Sequence, residues 1–481
     1  MKIASKLVLA IALMVPLLVG GFSARAASEP EIEAAIENGL AWLAAQQAPD
    51  GCWYGPYGLA GPTGMAVWKF AERPYEQDPP LDPFDPAYEY NAQVQDGLDC
   101  IFAMVQESGG LVWLPSMPVY ETGINMIALS ETRAPTRTVS VPGSPVDGWT
   151  YQQVLGGMLD WMEDAQNDGG CEIGGWGYSA NDIGWSDQSN SGYATMGIGF
   201  AIHPAFGFGL TVDPNVLAKL ETYIDNVQHP VSGGSGYFLG GPPPCGSDMG
   251  NILRTGNLLY EMALVGRPVG DSTAQAAVAF IEANWNAACQ PGWQGDYQAT
   301  FTMSKGLQAY GDALDTLPVV GDWLDQTSTY LVSHQNPDGS WGPGCGHGAG
   351  DLLLETSWAL LSLEPIPPPP VPVEIDIKPG SDPNSIKLSN KGVIPVAILG
   401  SASFDVTNVD YSTVVFAGDA TEAHNTVHYQ DVNGDTHLDA VLHYETRQTN
   451  IQMGDTEACL DGETVDGLSF HACDSVRTLD S

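Results

Sequence analysis

A mainly α fold, with helical hairpins closed into two concentric rings and a small β-rich module behind them, is predicted by three observations. The first is a spaced pattern at both ends of the larger segment. An aromatic residue is followed after five positions by Gln, four later by Gly and two later by Trp: Trp42, Gln47, Gly51, Trp53 and again Tyr330, Gln335, Gly339, Trp341. The second is that the aromatic-to-Gln step recurs between those copies. The third is an abrupt change of composition after Leu363.

Each terminal copy holds a Pro-Asp-Gly in the gap between Gln and Trp. Pro presets one turn residue and Gly relaxes another, so the pattern reads as a helix end, a tight turn and a Trp folded back on its helix. Aligning on the aromatic-to-Gln step gives Ile101 to Gln106, Trp161 to Gln166, Tyr223 to Gln228 and, with Trp for Gln, Phe280 to Trp285. The second members are 59, 60, 62, 57 and 50 residues apart, which makes six units of a repeat architecture. Each unit carries a second, more apolar helix, mostly opened by a small pair: Thr63-Gly64, Thr122-Gly123, Ser191-Gly192, Thr255-Gly256 and Thr356-Ser357. Gln298-Ala299 takes that place in the fifth unit. Thr or Ser there is expected to cap the first free amides, and Gly to let helices approach closely. Hairpins that cannot bury their inner faces alone stack into rings.

Gly39, Trp42, Leu43, Gln47, Gly51 and Trp53, with Tyr330, Leu331, Gln335, Gly339 and Trp341 at the far end, resemble the Gln-Trp repeat of squalene cyclases and protein prenyltransferase β subunits. Asn38 stands where that repeat usually has a basic residue. The resemblance covers roughly residues 29 to 365 and implies an α6-α6 toroid of six helical hairpins. The predicted organisation is a signal peptide at 1–26, the toroid at 27–363, a Pro-rich linker at 364–373 and a β-rich, sandwich-like domain at 374–481.

Lys2 and Lys6, the apolar run Leu7 to Val19 and Ala24-Arg25-Ala26 read as a secretory signal cleaved before Ala27. No later run is apolar and long enough to span a bilayer, so a secreted or surface-held protein is expected. The chain has 16 Lys plus Arg against 58 Asp plus Glu, a net charge of -42, so no nucleic-acid partner is expected and anionic membrane surfaces are poor partners, their phosphates being repelled. The eight basic residues between Ala27 and Leu363 are scattered, so a diphosphate leaving group has no cation cluster to receive it.

The resemblance also implies residues to test. Protein prenyltransferases hold zinc with an Asp-x-Cys opening the fifth inner helix and a His opening the last. Asp296 is retained here, Gln298 replaces the Cys and Glu355 replaces the His, a set suited to hard cations, so zinc is not expected. The Asp-x-Asp-Asp acid of squalene cyclases occurs nowhere, which removes the obvious proton source for cyclisation. Asp296, Glu355 and Glu121 remain the candidate catalytic carboxylates, because six-hairpin toroids also house glycan-active enzymes that need an acid and a base. Tyr120, Asn125, Tyr193, Tyr297, Gln298 and Trp358 are the candidate pocket residues, with Asp187 beside them. Against both stands their use as helix caps and core.

Cys345-Gly-His347 brings a thiol and an imidazole close enough to be zinc ligands, with Asp351 or another Cys completing the set, and a loosely similar Cys and His arrangement occurs in lanthionine cyclases, but eight cysteines in an exported chain without a CxxC favour disulfides. Cys52, Cys171, Cys245, Cys289 and Cys345 follow outer helices and should gather at one end of the ring. Ring closure would make Cys52 and Cys345 neighbours, with Cys289 to Cys345 and Cys52 to Cys100 as alternatives. Cys459 and Cys473 are expected to pair.

Beyond the polyproline run, short alternating segments such as 373–377 and 393–399 predict strands. Asp431, Asn433, Asp435 and Asp439 supply oxygens at first, third, fifth and ninth positions with Gly434 at the fourth and His437 lending its carbonyl, the spacing of a compact calcium loop. It resembles the loops of dockerins, without an acidic residue at position twelve, where Leu442 stands. Segments 375–381 and 392–400 are similar to a C-terminal accessory module of secreted bacterial and archaeal proteins. Two functions follow. One is a non-catalytic secreted protein binding an apolar small molecule, a glycan or an extracellular protein. The other is an isoprenoid cyclase or transferase, or a glycan-active hydrolase or lyase, using central carboxylates.

Overall fold

The computed structural model describes residues 26–55, 58–77, 79–180, 185–237, 239–240, 246–247, 250–346, 348–401, 404–465 and 467–479. The signal peptide expected at 1–26 thus lies outside the described residues apart from Ala26, as do Cys245 and His347.

Twelve α-helices occur among the described residues. Six are nearly buried throughout: α2 (Ala60–Glu72), α4 (Pro118–Glu131), α6 (Gln188–Ile202), α8 (Ile252–Leu264), α10 (Tyr297–Gln308) and α12 (Leu352–Ser362). The alternating six bury a stripe only: α1 (Glu29–Ala45), α3 (Asn91–Met104), α5 (Tyr151–Asp164), α7 (Pro214–Val227), α9 (Ser272–Ala283) and α11 (Trp323–His334). On α7 that stripe is Val216, Leu220, Tyr223, Ile224 and Val227, one face of a 3.6-residue period. The buried helices pack in the cycle α2, α4, α6, α8, α10, α12 and back to α2, and the striped ones lie outside them. The result is a helical toroid with one continuous apolar core.

The Gln-Trp pattern shows how the ring is tied. Trp53, Trp176 and Trp341 each donate their indole N–H at 2.8 Å to a carbonyl near the end of the preceding outer helix: Leu43, Met162 and Leu331. The Gln amide fastens its own turn to the next outer helix. Gln47 donates to the Gly51 and Gln93 carbonyls, Gln166 to those of Gly174 and Val216, and Gln228 to those of Gly233 and Thr273. Gln335 donates to Gly339 at 3.0 Å and to Ala35 of α1 at 2.7 Å, so the last repeat closes on the first.

The small residues that open the inner helices act differently from the expectation. Thr63, Thr122, Ser191, Thr255 and Thr356 do not cap their own helices. Their hydroxyls accept the backbone N–H of Trp53, Leu114, Trp176, Ser235 and Trp341 from the preceding loop. Capping falls to residues a few positions earlier: Asp187, Asn251, Asp296 and Asp351 accept first-turn amides of α6, α8, α10 and α12. Gly123 does serve close approach, since a Cβ there would lie 2.4 Å from the Tyr193 carbonyl oxygen.

The disulfides among the described residues join Cys52 to Cys100, Cys289 to Cys345 and Cys459 to Cys473. The pairing of Cys52 with Cys345 is therefore corrected: α3 brings Cys100 beside the first loop, and Cys345 crosses to the loop of the neighbouring fifth unit.

Beyond residue 373 the chain forms a β-sandwich. One antiparallel sheet has the order His428–Gln430, Asp439–Glu445, Val393–Leu399, Glu374–Ile377, and the other Val409–Phe416, Glu457–Thr464, Ser469–Ser475. Alternation along the strands turns Val396, Ile398, Leu442 and Tyr444 from the first and Val414, Phe416, Leu460 and Phe470 from the second into one separate core.

Candidate functional site

Three rings from alternate inner helices meet edge to face at the toroid axis. Trp68 of α2 has its centroid 5.6 Å from both Phe200 of α6 and Phe301 of α10. Side chains of first, third and fifth helices in a six-membered ring touch only across the centre, so the axis is filled there. Tyr193 of α6 stacks on Phe301 at 6.2 Å and forms the next layer toward the helix N-termini.

Above that layer, at the N-terminal ends of the inner helices, lies a cavity of about 230 Å³. Its walls are mainly apolar, with Pro62, Met65, Met117, Ile124, Leu354 and Trp358 among them. Gly61 lines it without a side chain, and a Cβ there would meet only Ile124 and Glu121, at 3.9 and 4.0 Å. The polar groups are few and oriented. Gln298 donates its amide to the Tyr120 hydroxyl at 3.0 Å, and the Trp358 indole donates to the Tyr193 hydroxyl at 3.0 Å. The Tyr120 and Tyr193 rings lie 4.5 Å apart. Also in the lining, the Tyr178 and Tyr237 hydroxyls share a hydrogen bond of 3.1 Å, and the Arg254 guanidinium lies 4.7 Å from the Tyr237 ring centre. Burial drives the Tyr120 phenol well above its ordinary pKa and that of Tyr193 up to about 12, so both stay neutral and act only as hydrogen-bond partners.

Tyr120, Gln298 and Trp358 of the expected pocket line this cavity, and Tyr193 backs it. Asn125 does not: its amide is spent on the Ala60 and Glu121 carbonyls between α2 and α4. Tyr297 turns to the segment 342–350, against Gly344. Asp187 is consumed as the cap of α6, accepting from the Ser189 and Asn190 amides and the Asn190 side chain. Arg254, Tyr178, Tyr237 and the two Met residues carried no motif in the sequence. Their only signal was position, near the openings of inner helices or in the loops before them.

No carboxylate lines the cavity among the described residues. Glu121 is buried beside Gly58, its pKa raised by burial, and accepts weakly from the Met117 amide at 3.4 Å. Asp296 and Glu355 both lie against the glycines at 342–346, near enough for the charge of Glu355 to act on Asp296. Asp296 Oδ1 caps α10, while its Oδ2 is buried without a partner against Gly346. Burial, with the negative charge of Glu355 adding to it, pushes the Asp296 carboxyl up to about 6. Glu355 Oε1 accepts the Gly344 amide at 2.7 Å and the Gly350 amide at 3.4 Å, and burial raises its pKa too. A Cβ at Gly342 would fall 1.9 Å from Glu355 Oε2 and one at Gly346 2.1 Å from Asp296 Oδ2, so glycine there is a requirement of the two acids. Gln298, the third member of the expected hard-cation set, points instead to Tyr120.

Below the aromatic layer, at the C-terminal ends of the inner helices, lies a buried ionic cluster. Lys69 Nζ is 2.6 Å from Glu364 and 3.0 Å from Glu72, and Lys305 donates to the Glu364 carbonyl at 2.7 Å. Burial lowers the Lys305 pKa to about 8. Although burial opposes it, the charge of Lys69 draws Glu364 down to about 2.

In the β module the loop 431–439 is folded by its own side chains. Asp431 accepts the Gly434 and Thr436 amides, Asn433 that of Asp435, and Asp435 that of His437. Asp439 is buried, with Oδ1 accepting from Gly400 and Oδ2 from Val432. It anchors the loop to the strand Val393–Leu399.

No family model matches the chain, and no curated protein matches it. Among solved structures the chain is similar to the GH76A α-1,6-mannanase of Salegentibacter sp. HEL1_6, at 11% identity over 69% of this chain and 98% of that one, with a TM-score of 0.46. It is also similar to a GH76 α-mannanase of Bacteroides thetaiotaomicron, at 10% identity over 69% and 94%, TM-score 0.48. The type II terpene cyclase MstE from Scytonema matches at 13% identity over 70% and 98%, TM-score 0.43.

Proposed function

We propose that this chain is an exported binding protein whose toroid, a ring of six hairpins at 27–363, holds a compact, neutral, largely apolar ligand at its N-terminal face. A signal peptide at 1–26 is removed, and the linker 364–373 joins the ring to a calcium-stabilised module at 374–481. The observation that carries this reading is the cavity itself. Apolar walls, paired tyrosine hydroxyls and one guanidinium surround it, no acid lines it among the described residues, and Trp68, Phe200 and Phe301 close it below. Such a site orients a ligand with hydrogen bonds and gains affinity from apolar burial. Raised far above neutral pH, the Tyr120 and Tyr193 phenols are poorly matched to serve as general acids or bases. A cavity of about 150 Å³ accepts benzene, so about 230 Å³ suits a fused bicyclic ring.

Calorimetric titration with 2-naphthol, and with a neutral disaccharide as contrast, tests this. Saturable 1:1 binding of the naphthol, lost in Gly61→Leu, which fills the cavity, supports the reading. Binding of the disaccharide alone, or equal naphthol binding by Gly61→Leu, would overturn it. For the loop 431–439, the same protein should take up one calcium that Asp435→Ala loses.

A second reading rests on Asp296 and Glu355. Two buried acids against the same glycine-rich segment, one titrating near 6 with an unpartnered oxygen, fit a proton-donating pair in a toroid enzyme acting on isoprenoids or glycans. It requires the segment 342–350 to open. Turnover of either substrate class, abolished by Asp296→Asn, would support it over binding alone.

A further inference from the structure

Three of the nine histidines of the chain fall on one patch of the β module, next to a carboxylate that has lost its solvent. Glu422 and His424 lie in the connection between the strands Val409–Phe416 and His428–Gln430. His443 lies in the strand Asp439–Glu445, and His428 begins its own strand beside it. The connection is pinned to the sheet by a bridge between Glu422 and Tyr444 and by the Ala423 amide donating to the His443 carbonyl at 2.8 Å. That pinning sets the side chains face to face. The His424 and His443 rings lie 5.3 Å apart and those of His428 and His443 5.6 Å apart.

The hydrogen bonds leave a specific deficit. Glu422 Oε2 accepts the amides of His424 at 2.6 Å and Thr426 at 3.1 Å, which fixes the carboxylate. Its Oε1 is buried with no hydrogen-bond partner, on a side chain only 10% exposed, and lies 3.8 Å from His424 Nδ1. His443 Nδ1 is likewise buried without a partner. One ligand atom from each of Glu422, His424 and His443 lies within 4.8 Å of the others. A carboxylate oxygen and two imidazoles converge here with two of their buried atoms left without a hydrogen bond, a deficit that a cation bound between them satisfies.

We propose that Glu422, His424 and His443 form a site for a borderline divalent transition metal, zinc or copper(II), with the His428 ring beside His443 at the edge of the site. Two or three imidazoles with one carboxylate select these ions over calcium and magnesium, which prefer all-oxygen cages. The backbone amides on Glu422 Oε2 supply the outer support that holds a metal-binding carboxylate in place. The exposed His424 ring is free to draw in to bonding distance. The bound ion ties the connection 417–427 to the sheet. It is distinct from the loop 431–439, whose ligands are oxygens. It is also distinct from the Cys459, His471 and Cys473 group, whose sulfurs are joined in a disulfide.

The test is calorimetric titration of the full, oxidised, calcium-saturated protein with zinc, confirmed by metal analysis after dialysis. One saturable equivalent is expected, weakened at least tenfold in His424→Ala and in Glu422→Gln and unchanged in Asp435→Ala. His424 is exposed, so its replacement tests the site without endangering the fold. No saturable zinc, several weak equivalents that persist in every variant, or an equivalent untouched by His424→Ala and Glu422→Gln would each overturn the assignment.

Discussion

Replacing Glu261 with Gln should stabilise the toroid by an amount that grows with pH. Glu261 is fully buried on α8, where Gln188 donates to Oε2 at 2.7 Å and Oε1 has no partner. Burial pushes its pKa from the ordinary 4.5 up to about 8, against the smaller opposing effect of the Gln188 bond. An acid whose folded-state pKa is raised holds its proton more tightly folded than unfolded. Its contribution is therefore intact below about pH 4.5 and is lost as the pH rises toward about 8. At about 1.4 kcal/mol per pH unit, the loss reaches about 3 kcal/mol at pH 7 and about 5 kcal/mol above pH 8. Gln keeps the shape and removes the charge that must be desolvated. Urea unfolding of both proteins, followed by tryptophan fluorescence from pH 5 to 9, should give a small difference at pH 5 that climbs and then levels off above pH 8. A difference independent of pH, or one that favours the wild-type protein at high pH, would refute a protonated Glu261.

Two other substitutions address how the ring is held. Gln335→Ala removes both bonds of the closing clamp and leaves the Ala35 and Gly339 carbonyls short of a donor, so unfolding free energy should fall by about 2–3 kcal/mol, with hydrogen exchange accelerated first in α1 and α11. Lys69→Met strands the buried Glu364 and Glu72 carboxylates and should cost about 3–5 kcal/mol at pH 7, read as a lowered urea midpoint. The deficit should shrink on acidification, because protonating those carboxylates in the variant removes the unpaired charge.

The parts of this fold visible in the sequence are those carried by local, repeated chemistry. Trp53 and Trp341 announce themselves because each must return to a helix-end carbonyl across a Pro-Asp-Gly turn, and Gln47 and Gln335 because each has one carbonyl of its own turn to hold. The Thr and Ser residues opening the inner helices were visible but ambiguous. A hydroxyl at a helix start accepts an amide in either role, and only the path of the preceding loop decides whose amide it is. Cys52 and Cys345 show the same limit. Closure of the ring makes their loops neighbours, but which sulfur lies nearest depends on how far α3 and the fifth loop project. For Asp296 and Glu355 the sequence places both at helix starts, and their proximity follows from that. Their packing against the glycines at 342–346 depends on tertiary placement of 342–350. Arg254, Tyr178 and Tyr237 join the cavity from three separate segments and could not be assembled without the fold. Nor could Glu422, His424 and His443, whose meeting depends on one strand register.

The most direct measurement of the central claim is the position of a heavy-atom ligand in crystals of the full protein. Crystals soaked with 4-bromophenol and measured at the bromine edge should give an anomalous peak between Trp358, Tyr120 and Met65, with the phenol oxygen near the Gln298 amide or the Arg254 guanidinium. A peak seated against Asp296 and Glu355 with the segment 342–350 displaced, or no peak within the ring, would contradict a neutral binding cavity at the toroid's N-terminal face.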